Sequence, residues 1–335
     1  MWGEGRLEMT MRLADAANAM QRDDRPNARP TAEPVIRVDD LHMSYGPFEA
    51  VRGIGFEVRR GEILAFLGPN GAGKTTTLEI LEGYRTRTSG SVSVLGEDPG
   101  TAGTEWRSRI GVVLQESEPE SELTVRECLS LYAGYYPNPR DVNETLDLVG
   151  LREKRDVRCG RLSGGLRRRL DVGLALIGDP VLVFLDEPTT GFDPSARRNA
   201  WEVVANLRSL GKTILLTTHY MDEAEHLADR IIVVAGGRIV AEGTAATLGG
   251  RDTASTVIRF TLPENFPVTE LPPEVGAMAM RLAGNRVEIR ASEPLAFLGI
   301  LSAWAAGEHL HVGDLEVSRP SLEDIYLELT RDSTA

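Results

Sequence analysis

The chain has 335 residues, enough for one large domain or for two that each bury a core. Its 41% apolar and 26% charged residues give the profile of a soluble globular protein. The net charge of −13 argues against a nucleic-acid binder, which normally presents a basic face.

Residues 1–33 show no periodic pattern, carry five arginines against six acidic residues, and contain no apolar signal-peptide core. A disordered leader and an upstream start codon explain this segment equally well. Alternation begins with a strand at 35–38, then a loop, then a strand at 56–58. Tyr45-Gly46 falls between them, where an aromatic is ordinarily a core or turn residue. The apolar run 63–67 reads as a buried strand and leads into Gly68-Pro69-Asn70-Gly71-Ala72-Gly73-Lys74-Thr75-Thr76. A short helix follows at 77–82, which Gly83 can cap.

Strand, glycine loop and helix in that order are the context of the GxxxxGK[ST] phosphate loop. The glycines let backbone N–H groups turn toward an anion, and the helix N-terminus adds partial positive charge. Lys74 can reach the outer phosphates, and the Thr75 hydroxyl can ligate Mg²⁺. By chance the four fixed positions recur in roughly one chain in a hundred of this length. The chain has only three lysines, Lys74, Lys154 and Lys212, and one of them occupies the required position. A nucleoside triphosphate with Mg²⁺ follows from this stretch alone.

Further short strands are expected at 92–95 and at 110–114, the latter ending on Gln115. Residues 124–151 then have helical spacing with Thr124 and Asp141 as N-cap candidates, a helical insertion in an α/β domain. Cys128 falls here and Cys159 just beyond; without metal or redox spacing, they read as reduced residues of a cytosolic protein. Leu162-Ser163-Gly164-Gly165-Leu166 opens the next helix with Ser163 placed as its N-cap. The cluster Arg167-Arg168-Arg169 reads as a solvated helix face. The longest apolar candidate for a membrane span, 172–185, is broken by Asp179-Pro180 and is far short of ~20 residues. Any membrane spans the function needs must therefore come from another chain.

The strand 181–185 ends in Asp186-Glu187, and two acids at the end of a buried strand are rare unless paired or bound to a cation. Adjacent strand residues point to opposite sides, so the two acids are expected to have different jobs. An amphipathic helix at 195–210 and a strand at 214–218 come next. That strand ends on His219, a favourable place for function in a sheet that carries a phosphate loop. After two more strands the pattern changes around Gly249-Gly250. Residues 251–335 have no lysine, seven arginines and thirteen acidic residues, and read as a small α+β domain without a catalytic constellation.

Taken together, the phosphate loop, the LSGGx pentapeptide at 162–166 and the apolar strand–Asp-Glu-Pro sequence resemble the ATP-binding subunit of ABC transporters over about residues 35–248. The resemblance implies a P-loop NTPase α/β fold: a leader at 1–33, an ATP-binding domain at 34–248 with a helical subdomain at about 116–178, and an accessory α+β domain at 249–335. It implies ATP and Mg²⁺ as ligands, with Tyr45 stacking on adenine and residues 68–76 holding the phosphates. Asp186, Thr75 and Gln115 would serve the metal; Glu187 would be the general base; and His219 would contact the γ-phosphate. Asp193 would lie in the loop that crosses a head-to-tail dimer, in which Ser163, Gly164 and Gly165 of one copy close the site of the other. Leu166 and Phe192 depart from the family's commonest residues, glutamine and leucine, without removing a phosphate ligand.

A narrower resemblance, to daunorubicin-resistance exporters, rests on Leu166-Arg167-Arg168-Arg169-Leu170, Ala175-Leu176-Ile177-Gly178-Asp179-Pro180 and Pro320-Ser321-Leu322-Glu323-Asp324-Ile325-Tyr326. It implies a separate integral membrane permease as partner, no nucleic acid, a cytoplasmic place on the inner face of the cell membrane, and outward transport of a drug, lipid or glycan. The rival readings are a non-transport ABC ATPase, which usually adds a coiled-coil insertion, zinc cysteines or a second cassette, and a regulatory ATPase.

Overall fold

The computed structural model describes residues 33–114, 120–263, 266–267, 270–276, 279–281 and 284–331. From Pro34 onward the described residues form one compact unit. The expected leader lies outside the described residues apart from Glu33.

The chain opens with β1 (Ile36–Tyr45) and β2 (Phe48–Val58). These are long antiparallel partners joined at Gly46, so the segment expected as a loop is a hairpin. Next come β3 (Ile63–Leu67), α1 (Lys74–Leu81), β4 (Ser89–Val94), α2 (Thr104–Arg107) and β5 (Ile110–Val113). The helical insertion follows as α3 (Val125–Ala133), α4 (Val142–Leu148) and α5 (Gly164–Leu176). Then come β6 (Leu182–Asp186), α6 (Pro194–Ser209), β7 (Thr213–Thr218), α7 (Met221–Leu227), β8 (Arg230–Ala235) and β9 (Arg238–Gly243). The remainder is β10 (Thr256–Thr261), α8 (Pro273–Gly276), β11 (Met280–Arg281), β12 (Arg286–Ala291), α9 (Pro294–Gly307), β13 (Gly313–Ser318) and α10 (Leu322–Arg331).

Two sheets sandwich the first core. The central one has the order β5-β6-β7-β3-β8-β9, parallel except for β9, and a smaller antiparallel one has the order β2-β1-β4. In β3 the side chains alternate: Leu64 and Phe66 join the core facing the antiparallel sheet, while Ile63, Ala65 and Leu67 face the core shared with the helices. This two-sided burial makes β3 and β6 read as unbroken apolar runs rather than alternating ones. Parallel order puts the carboxyl ends of β3, β6 and β7 side by side, where doubly wound sheets bind ligands.

Local sequence fixes the insertion. Thr124 and Glu127 form a reciprocal capping box on α3, and Asp141 accepts from the Asn143 and Glu144 amides to cap α4. Cys128 and Cys159 are free and buried in this part of the core, and burial pushes the Cys128 thiol up to about 12.

The change of pattern at Gly249 coincides with a short 3-10 turn over Leu248–Gly250. Beyond it a sheet of order β11-β12-β10-β13 carries its own core, in which Phe297 and Leu301 of α9 pack on Ile258, Phe260, Val287 and Ile289. The C-terminal helix does not stay with that core: Leu322 is buried in the core that the central sheet shares with the helices, and Tyr326 packs against it. Arg251 clasps the junction, donating to the Pro320 carbonyl, the Ala245 carbonyl and Glu225 Oε1, each at 2.7 Å.

Candidate active site

The loop after β3 wraps a space directly before α1. At Gly68 a Cβ would meet the Val234 carbonyl oxygen at 2.3 Å. Gly73 adopts φ +100 with the Ala50 carbonyl 2.6 Å from where its Cβ would stand. No other residue fits either place without moving backbone. Lys74 is buried, and its ammonium donates to the Gly68 and Pro69 carbonyls at 2.9 and 3.2 Å, so the loop itself aims it. Thr75 Oγ1 donates to Asp186 Oδ1 at 3.3 Å, and the Thr217 hydroxyl donates to the same oxygen.

Glu187 stands at the end of β6 but is not in strand geometry: its φ is +43. The expectation that strand alternation separates the two acids therefore fails at its second member. A left-handed turn, with the Glu187 amide donating to Thr217 Oγ1 at 3.0 Å, does the separating instead. A non-glycine residue in this region costs about 1–3 kcal/mol, a strain that concentrates at functional sites. The turn carries the carboxylate to Lys74, with Oε1 3.4 Å from Nζ. Oε2 accepts from the Thr190 hydroxyl at 2.9 Å and lies 3.2 Å from His219 Nδ1. His219 Nδ1 makes no aligned hydrogen bond with it. Burial pushes the Glu187 carboxyl up, but Thr190, Lys74 and His219 outweigh it and hold it below the usual carboxylate range.

These groups open on a cavity of about 340 Å³ walled by Tyr45, Phe48, Asn70, Gly71, Gly73, Lys74, Thr75, Thr76 and Glu187. Tyr45, at the hairpin tip, is 40% exposed, with its hydroxyl 3.4 Å from Thr76 Oγ1 and the Arg85 guanidinium 5.2 Å from its ring centroid, which leaves one ring face for a flat partner. Ala72 is buried beneath the loop, and Pro69, Asn70 and Gly71 lie exposed on its rim. Gln115 lies outside the described residues.

Ser163, Gly164 and Gly165 begin α5, away from this cavity. Ser163 is the N-cap by position, yet its hydroxyl makes no capping bond, contrary to the ordinary role of a serine there. Ser163 and Gly165 line a separate cavity with Leu166, Pro188 and Phe192, so both departures from the commonest family residues share one wall. Asp193 caps α6 by accepting from the Ser195 and Ala196 amides at 2.8 and 2.9 Å.

Arg168 departs from the solvated-face reading of its cluster. Arg168 is not solvated: it is buried, donating to the Pro188 carbonyl at 3.1 Å, to the Asp186 carbonyl at 2.9 Å and to the Leu114 carbonyl. It thereby ties the ends of β5 and β6 to the loop behind Glu187. The spacing of Arg168, Val172 and Ala175 (i, i+4, i+7) was the available signal, since it puts Arg168 on the apolar face of α5. Thr190 and Thr217, which fix the two carboxylates, carried no signal of their own.

Two family descriptions match the chain: ABC transporter over residues 51–190, and ABC transporter domain-containing protein-like, C-terminal domain, over residues 256–321. Nod factor export ATP-binding protein I of Burkholderia lata is 38% identical over 307 residues, covering 89% of this chain and 98% of that protein. The protein of the same name from Burkholderia pseudomallei strain 1710b is 40% identical over 303 residues, covering 88% and 96%. Among solved structures, the ADP conformation of an ATP-binding cassette of an ABC transporter superposes with a TM-score of 0.57 at 26% identity, covering 64% of this chain and 92% of that one. For cbiO1 from Clostridium perfringens, part of the transporter complex cbiONQ, the values are 0.59, 27%, 64% and 89%. With relatives this similar over nearly their whole length, the chain belongs to the ATP-binding subunits, the ATPases, of ABC transporters.

Proposed function

We propose that this chain hydrolyses ATP with Mg²⁺ at the described cavity and that the hydrolysis drives export through a separate membrane permease. The observation that carries the reading is the convergence of Lys74, Glu187 and His219 on one point beside the phosphate loop, at 3.4 and 3.2 Å. The loop amides and Lys74 take the phosphates, and the Tyr45 ring takes the adenine. Thr75 and Asp186 offer hard oxygens to one side of the same loop, a donor set that suits Mg²⁺ completed by phosphate and water. When bound, the metal supplies charge neutralisation to the phosphates. Glu187, ionised at neutral pH, accepts the proton of the attacking water, and His219 donates to the γ-phosphate.

Ser163, Gly164 and Gly165, turned away from their own chain's cavity and with the Ser163 hydroxyl free of its helix, are placed to serve the nucleotide of a second subunit. This supports a head-to-tail pair, either a homodimer or a pairing with another ABC subunit. The printed name of the relatives, an export ATP-binding protein, supports the export direction. Among the described residues no helix is long and apolar enough to cross a membrane, which agrees with a peripheral subunit on the cytoplasmic face. The relatives are named for Nod factor export rather than drug resistance. The proposed cargo class is accordingly a lipid, glycan or drug, with antibiotic efflux one member of it. The assignment of 34–248 to ATP binding and of 249–335 to an accessory role belongs to the same proposal.

Lys74→Ala tests the reading. ATPase activity should fall about 10²–10³-fold, as expected on losing one preorganised charge. Near-normal turnover would remove Lys74 from the phosphates. Purifying the chain with its membrane partner and assaying ATP-driven transport in vesicles tests the export half.

A further inference from the structure

A stack of three side chains stands between α6, the helix capped by Asp193, and the imidazole of His219. The guanidinium of Arg197, in the first turn of α6, lies 3.8 Å from the centroid of the Tyr220 ring. The Tyr220 ring lies 4.1 Å from the His219 ring at a tilt of 41°. Arg197 Nη1 also donates to Asp222 Oδ2 at 3.2 Å, which fixes the guanidinium to the first turn of α7. Its Nε is buried and makes no hydrogen bond among the described residues, so the ring face and Asp222 hold it. Further along α6, Trp201 donates to Glu223 Oε1 at 3.2 Å and stacks on His226 at 4.8 Å. The two helices are thus joined at two levels, and only the first of them touches His219.

The imidazole needs such support. Its Nδ1 makes no hydrogen bond among the described residues, although it lies 3.2 Å from Glu187 Oε2. A histidine usually owes its ring plane to a hydrogen bond on one nitrogen. Here the neighbouring ring face takes that part.

We propose that Arg197 and Tyr220 are positioning residues for hydrolysis: the stacked guanidinium and phenol ring hold the His219 imidazole at the γ-phosphate position and couple it to α6. This rests on the reading of His219 as a γ-phosphate ligand. A cation over an aromatic face and a tilted ring pair are both attractive geometries, and neither uses the tyrosine hydroxyl. The coupling has a direction that suits its place. A displacement of Asp193 at the start of α6 moves Arg197, and with it the ring that supports His219. Misplacing a reacting group by about 1 Å costs about 10²-fold in rate, so the stack acts on turnover rather than on nucleotide binding.

Steady-state ATP hydrolysis by the full chain tests this with Tyr220→Leu, Tyr220→Phe, Arg197→Leu, His219→Ala and the His219→Ala/Tyr220→Leu double variant. Tyr220→Leu should lower kcat about 10–100-fold with KM for ATP changed less than about twofold, at an unchanged melting temperature. Tyr220→Phe, which keeps the ring, should restore kcat to within about threefold. Arg197→Leu should show the same split from the α6 side, which keeps the question open to test if Tyr220→Leu folds poorly. On the His219→Ala background, Tyr220→Leu should cost nothing further, because the residue it positions is gone. The proposal is overturned if Tyr220→Leu turns over normally beside an inactive His219→Ala. It is also overturned if Tyr220→Phe is as damaged as Tyr220→Leu, or if the double variant shows the sum of both losses. A His219→Ala chain with wild-type turnover would remove the γ-phosphate assignment itself and the proposal with it, a result distinct from failure of the stack alone.

Discussion

At the residue scale the site is a problem of keeping two acids apart. Asp186 is held by the Thr75 and Thr217 hydroxyls, while Glu187 leaves the strand in a left-handed turn and meets Lys74, Thr190 and His219. The sequence signalled both acids, because a buried strand that ends in two carboxylates demands partners. It did not signal the turn, because nothing in the pair Asp186-Glu187 tells a strand end from a turn until Thr217 arrives from a neighbouring strand. A third acid lies nearby. Burial, with Asp186 and Glu79 adding to it, raises Glu82 from 4.5 to about 8. Between those values the folded chain keeps a proton that the unfolded chain has released, so stability falls as pH rises through this window and levels off above it. Glu82→Gln removes the effect. Its unfolding free energy should exceed that of wild type at pH 8 by roughly 1–3 kcal/mol, after allowance for the water that reaches the partly exposed side chain, and the gap should close toward pH 5. A gap that widens toward pH 5 would show that the carboxyl is not held neutral.

At the scale of elements, what could be read in advance was what local chemistry decides. The caps at Thr124 and Asp141, the phosphate loop between strand and helix, and the apolar runs of β3 and β6 all follow from side chains within a few residues of one another. What could not be read depends on distant partners. The ten-residue β1 was expected as four residues because Asp39, Asp40 and His42 interrupt its apolar pattern, and β2 and β4 on either side hold it extended. The bonds that hold Arg168 buried cannot be read from the local sequence, because its acceptors are carbonyls at the end of β5 and from Asp186 to Pro188. The clearest case is α10, whose sequence belongs with the C-terminal sheet but whose Leu322 fills the ATPase core. Leu322→Ala should therefore destabilise the ATPase domain by about 2–4 kcal/mol, seen as an earlier unfolding transition that nucleotide shifts upward. If that transition does not move and only the C-terminal sheet loosens, α10 is not part of the ATPase core. A chain ending near Gly249 carries the same lesion and should bind ATP with a less stable core.

At the scale of the whole molecule, the proposed head-to-tail pair requires each chain to carry both halves of a composite site in separate places. The phosphate loop and Glu187 share one cavity, with His219 beside Glu187, and Ser163 and Gly165 open on another. Two copies in head-to-tail order bring the halves together around each nucleotide, so unhydrolysed ATP should hold the pair by mass action. Glu187→Gln keeps the shape of the site and removes the base, whereas Asp186→Asn weakens the hold on metal and nucleotide. Gel filtration of the full chain in ATP with Mg²⁺, after enough time for wild type to consume its nucleotide, tests the account most directly. The account predicts that Glu187→Gln elutes as a dimer with its ATP intact, while wild type and Asp186→Asn elute largely as monomers. A Glu187→Gln chain that hydrolyses ATP at the wild-type rate, or that retains ATP and still elutes as a monomer, would contradict it.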